Sequence, residues 1–133
     1  MKQLICAVAL VMSFSFTTNA QKVQPKVIAL ITKASWCVVC QANGPRFMKD
    51  IMPMIRGNKE VQIIINDLSD KKTTATSRRP LQKAGIDYFA EKNPATGMLY
   101  FFNANTKKLL SSVSLAQSNE EIEKAYQKAL AKG

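Results

Sequence analysis

Along the 133-residue chain, apolar residues gather in runs of two kinds. VIALIT (27–32) and VQIIIN (61–66) are nearly continuous in apolar, largely β-branched residues, which predicts two buried strands. Between them Cys40, Phe47, Met48, Ile51 and Met52 recur at three- and four-residue steps, which predicts a helix running from Cys37. Pro45 should kink that helix, because proline removes an intrahelical hydrogen bond and clashes with the preceding turn. Pro53 marks a second bend or the effective end, and Gly57 a stop. Strand, crossover helix and strand make the βαβ unit of a parallel sheet.

The second half reads with less regularity. DLSDKKTTATSRR (67–79) is polar throughout and predicts a loop, with residues 71–76 mobile and Arg78-Arg79 a solvated helix entry. Pro80 then suits the first turn of a helix whose face carries Leu81, Ala84 and Tyr88. GMLYFFN (97–103) predicts a third strand, with Tyr100, Phe101 and Phe102 in core and sheet face. Ala104-Asn105 predicts a turn and KLLSSVSL (108–115) a fourth strand, so the last two strands should form an antiparallel hairpin. In the closing segment Ser118 and Glu121 have the spacing of a capping box, and Ile122, Ala125, Tyr126, Ala129 and Leu130 form one apolar stripe. The order β-α-β-α-β-β-α is that of a single α/β domain.

The first twenty residues stand apart from this pattern. Lys2 precedes thirteen apolar-rich residues (4–16), and Thr18-Asn19-Ala20 places small residues before Gln21. This is the layout of a secretory signal peptide, and the run is shorter than the roughly 20 residues a membrane span needs. The expected organisation is therefore a signal peptide over 1–20 and one domain over 21–133, without stable membrane insertion after cleavage.

Removal of that segment changes both charge and cysteine arithmetic. It takes Lys2 and Cys6 with it, leaving 18 Lys and Arg against 9 Asp and Glu, a net of +9. The positive residues are scattered rather than striped with aromatics, so a nucleic-acid partner is not expected. The two remaining cysteines lie in SWCVVC (35–40), and in an oxidising compartment they should pair with each other. With no histidine and two thiols, the chain lacks the four Cys or His ligands of a closed zinc site. No cofactor is expected.

Three uses of the motif remain open: a redox pair, a stabilising disulfide, or a Cu(I) site helped by Met48, Met52 and Met54. The physical case for the first is specific. Cys37 falls at a helix N-terminus, where unpaired N–H groups and the helix dipole favour a thiolate, making it the nucleophile. Cys40 lies one turn further in, expected to be less exposed, and can resolve a mixed disulfide by attacking Cys37. Trp36 would cover the pair and offer a flat apolar surface to a partner chain.

The element order and SWCVVCQANGP (35–45) resemble the thioredoxin superfamily across about residues 26–131. The tryptophan before the first cysteine, Pro45 five residues after the second, the strand ahead of the motif and the closing hairpin with its helix all fit. The resemblance implies a thioredoxin-like fold with a central mixed four-stranded sheet. It also implies a protein-disulfide oxidoreductase with Cys37 and Cys40 catalytic, and a substrate groove formed by Trp36, Thr96 and Gly97. Its partners would be protein substrates with thiols or disulfides and an upstream redox partner, and its place the periplasm or another extracytoplasmic compartment. Two departures bear on mechanism. Ile31 stands where members often carry a buried acid. Gly97, after Thr96, stands where many carry a cis-proline, and a Thr-Gly bond should be trans. Val38-Val39 adds no charge between the thiols, which points to a reducing or middle-range potential. Asp67 reads as a turn former rather than a catalytic acid.

Overall fold

The computed structural model describes residues 22–133, so the predicted signal peptide lies outside the described residues. Strand β1 (Val27–Lys33) is central and pairs in parallel with β2 (Val61–Asp67), Val27 opposite Val61 and Thr32 opposite Asn66. On its other side it pairs antiparallel with β3 (Met98–Asn103), which pairs antiparallel with the edge strand β4 (Leu109–Ser114). The order β2-β1-β3-β4 is the mixed four-stranded sheet expected from the sequence. The parallel pair follows from the long crossover between β1 and β2, which a tight turn could not provide.

Side chains alternate across the central strand and build two cores. Val27, Ala29 and Ile31 face one layer with Phe47, Ile51, Ile55, Phe101, Ile122 and Tyr126. Ile28 and Leu30 face the other with Ile64, Leu81, Ala84, Ala90, Tyr100 and Phe102. The first layer is roofed by the crossover helix and by α5 (Asn119–Lys132), the second by α3 (Lys71–Ala84) and α4 (Asp87–Lys92).

The crossover is α1 (Val38–Arg46), a π-helical segment (Phe47–Ile51) and α2 (Met52–Gly57). The disturbance expected at Pro45 falls two residues later, at Phe47, where the helix widens into a π turn. Pro53 lies in the first turn of α2 rather than ending a helix, a position where its missing N–H costs little.

Several expectations change in the second half. The polar stretch 71–79 is helix, not loop. Asp70 caps it by accepting the Thr73 N–H at 2.8 Å while the Thr73 hydroxyl accepts the Asp70 N–H, a complete capping box. Thr74 and Thr76 turn their hydroxyls back onto the carbonyls of Asp70 and Lys72, so residues that favour turns in isolation are satisfied within the helix. Pro80 sits well inside α3 rather than in its first turn, and Arg78 and Arg79 lie mid-helix. Gly85, at φ +71, ends the helix in a left-handed cap, which throws Tyr88 onto separate α4 and out to solvent instead of onto the Leu81 face. At α5 only half of the expected capping box forms: the Ser118 hydroxyl accepts the Glu121 N–H. No helix among the described residues is long and apolar enough to cross a membrane.

Candidate functional site

The cysteine pair lies where β1 gives way to α1. Cys37 is the N-cap residue, with extended backbone, and its Sγ accepts the Cys40 N–H at 3.1 Å. Sulfur here takes the place usually filled by a Ser or Asp oxygen. A negative charge on Cys37 would meet that N–H and the positive end of the helix. Cys37 and Cys40 are joined as a disulfide with Cα atoms 5.2 Å apart, the separation one helical turn provides.

Exposure reverses the expected order. Cys37 is 4% exposed, while Cys40 is partly open. The cause is Gly97, at the entry to β3, whose backbone passes over the pair: a Cβ built there would lie 3.5 Å from Cys37 Sγ and 2.7 Å from Val39 Cγ1. Gly97 also has φ +75, which L side chains rarely adopt. Its N–H donates to the Thr32 carbonyl at 2.7 Å and its carbonyl accepts the Leu115 N–H at 2.8 Å. The Thr96–Gly97 bond is trans. Glycine thus achieves close approach to the sulfurs by having no side chain.

Trp36 and Val38 flank the buried sulfur as exposed apolar side chains, at 60% and 76%. The Trp36 indole N–H donates to the Leu68 carbonyl at 3.3 Å, which anchors the ring toward the loop after β2. Thr96 is half-buried, and among the described residues its backbone N–H and carbonyl have no protein partner. The predicted groove residues Trp36, Thr96 and Gly97 therefore lie on the segments that border Cys37. Of the methionines considered for copper, Met52 is buried in the core and Met54 packs against it, while Met48 is exposed. Ile31 is buried among apolar neighbours.

Supporting contacts appear that the sequence reading did not assign. The Ser35 N–H donates to Ser69 Oγ at 2.8 Å, and Ser69 is held by Asp67, whose Oδ1 accepts the Ser69 N–H at 3.0 Å. Asp67 Oδ2 also takes the Lys33 ammonium at 2.8 Å. The Lys33 hydrogen bond, followed by that of the Ser69 hydroxyl, lowers the Asp67 carboxyl to about 2. Asp67 is thus the turn former expected, and also the tether of the strand that delivers Trp36. The Asp67-x-Ser69 spacing is a turn signature that could have shown this. Gln41 donates to the Ser35 carbonyl at 2.6 Å. Behind the motif, Arg46 reaches the Leu115 and Gln117 carbonyls at 2.7 and 2.8 Å and the Asn119 side chain, tying α1 to the start of α5. No local pattern signals a contact across some seventy residues.

No protein-family profile and no curated protein matches the chain. Solved structures do. A solution structure of a candidate protein disulfide isomerase from Bacteroides thetaiotaomicron is 21% identical, covering 79% of this chain and 72% of that one, at a TM-score of 0.51. Thioredoxin from Wuchereria bancrofti is 16% identical over 84% and 85% of the two chains, TM-score 0.49. Thioredoxin from Malassezia sympodialis is 20% identical over 81% of each, TM-score 0.45. The fold is thioredoxin-like, carrying a Cys-x-x-Cys disulfide at the end of the first strand.

Proposed function

We propose that the protein exchanges the Cys37–Cys40 disulfide with thiols of partner proteins. The observation that carries this reading is the capping geometry: Cys37 Sγ already accepts the Cys40 N–H at the helix N-terminus, the arrangement that stabilises a leaving or attacking thiolate. A partner thiolate attacks one sulfur of the pair and forms a mixed disulfide, the other sulfur leaving as thiolate. A second partner thiol then completes the reduction of the pair, and the partner departs with its own disulfide. The reverse sequence reduces the partner and oxidises the pair. An upstream redox protein restores whichever state is consumed.

Exposed Trp36 and Val38 supply an apolar landing surface, and the unpaired Thr96 backbone can hydrogen-bond an extended segment of the partner. Val38 and Val39 place no charge beside the sulfurs, so the thiolate leans on the helix terminus alone, which favours a reducing or middle-range potential. With Ile31 in a dry core, the proton of Cys40 leaves through water at its open side. Export directed by residues 1–20, to the periplasm or an equivalent oxidising space, completes the reading. Mass spectrometry of the protein from fractionated cells checks it: a chain starting at Gln21 supports export, and an intact Met1 in the cytosol rejects it.

A second reading has its own observation: at 4% exposure Cys37 is shielded as a structural disulfide would be. Titration against glutathione buffers separates the two. A reversible two-electron transition, with a stable mixed disulfide in Cys40→Ser, supports exchange. A pair that stays oxidised at every accessible poise establishes a structural bond.

A further inference from the structure

On the α3–α4 face, next to the loop that anchors Trp36, lies a pocket of about 460 Å³ that neither cysteine lines. At its base is Asn66, 4% exposed, whose amide makes no hydrogen bond with any described residue. Beside it in register across β1 and β2 stands Thr32, fully buried, with a hydroxyl that likewise has no partner. An unpaired buried polar group costs about 1–3 kcal/mol. The Thr32 hydroxyl is such a group, and the Asn66 amide beside it, without a protein partner, opens into the pocket.

The walls differ in charge. From α3 comes Arg78; from α4 come Asp87 and Glu91; Leu81 and Ala90 supply apolar surface between. A phosphate or other net anion would meet two carboxylates, and a simple amine would leave the guanidinium without use. A molecule carrying one carboxylate and one ammonium satisfies both walls. An Asn amide offers a donor and an acceptor side by side, the complement of a peptide group. A single amino acid has no peptide group to place there.

We propose that this pocket binds a free dipeptide with an apolar side chain. Its carboxylate lies toward Arg78, its ammonium toward Asp87 and Glu91, and its peptide group on Asn66. Nothing in this depends on redox activity of Cys37 and Cys40.

The test is titration of the ¹⁵N-labelled protein with Ala-Leu, followed by amide shifts around Asn66 and by fluorescence of Trp36, which hydrogen-bonds to the pocket residue Leu68. Saturable binding is expected, with free leucine, N-acetyl-Ala-Leu and Ala-Leu-amide each at least about fivefold weaker, a loss of roughly 1 kcal/mol per missing group. Arg78→Gln, at an exposed position that leaves the fold intact, should weaken Ala-Leu about fivefold yet leave Ala-Leu-amide unchanged. Asn66→Leu should remove binding. No saturable shift up to about 10 mM overturns the proposal, since weaker binding falls below the mM end of the affinity scale. So does leucine binding as tightly as Ala-Leu, or an Arg78→Gln variant that binds both peptides as the parent does.

Discussion

Ile31 and Thr32 are neighbours in β1, yet they face two differently built halves of the molecule. Ile31 enters a layer in which apolar side chains from the crossover, α5 and the sheet close against one another, with Arg46 bolting the edge. Thr32 enters a layer where its own hydroxyl and the Asn66 amide lack partners and a pocket reaches the sheet. Burial on that second face also pushes the Tyr100 phenol up. The disulfide sits at the end of the strand that divides the two. The closed face holds the helix whose N-terminus is capped by Cys37, and the open face holds the pocket.

Substitutions at these two neighbours should sharpen the contrast. Ile31→Asp should destabilise by about 4 kcal/mol at pH 7, because an unpaired carboxylate enters a dry layer. Burial raises the folded pKa of that new carboxyl, so the loss grows as pH rises above the unfolded value and is smallest in acid. Denaturant melts at pH 3.5 and 7 check the sign, and equal losses would show that the closed face admits water.

Gly97→Ala should cost about 3 kcal/mol through its left-handed backbone and its collision with Val39. Displacement of Val39 should also shift the redox midpoint, measured in the same glutathione series. An unchanged midpoint would mean that the segment over Cys37 is free to move away.

Asp67→Asn should cost about 1 kcal/mol at neutral pH, the Lys33 pair being screened by its half-exposed ammonium. The folded carboxyl titrates near 2, against 3.8 for a free one. Its contribution is therefore complete above the unfolded value and disappears as pH falls through about 2. Thermal melts of parent and variant should converge across that window. Equal in size and opposite in sign, Thr32→Val should stabilise by about 1 kcal/mol by removing the orphaned hydroxyl. A loss instead would reveal a bound water partner on the open face.

The regular parts of the fold were legible because their periods are strong. VIALIT is a buried strand, the 97–115 segment formed its hairpin, and the cysteine pair fell at a helix start. VQIIIN is a strand too, but an edge one in which Ile64 and Asn66 are buried and Ile65 faces solvent, because no strand pairs on its far side. Residues 71–79 were misread because Thr and Ser compete with the helix backbone when considered locally, whereas Asp70 and Thr73 cap the helix and buried Ser77 docks it by accepting the Asp67 N–H. The exposure of the two cysteines was misjudged because the cover comes from Gly97, sixty residues away, and is made of backbone.

By itself, then, the sequence determined the order of elements, the mixed sheet and the chemical type of the site, since each depends on local periodicity or on spacing within one turn. Tertiary structure alone decided which sulfur is shielded, that Asp67 and Ser69 hold the approach to Trp36, and that Thr32 and Asn66 stand unpartnered beside a pocket. Those features arise where residues far apart in the chain meet, and what a polar group gains or loses there depends on the partner the fold brings to it.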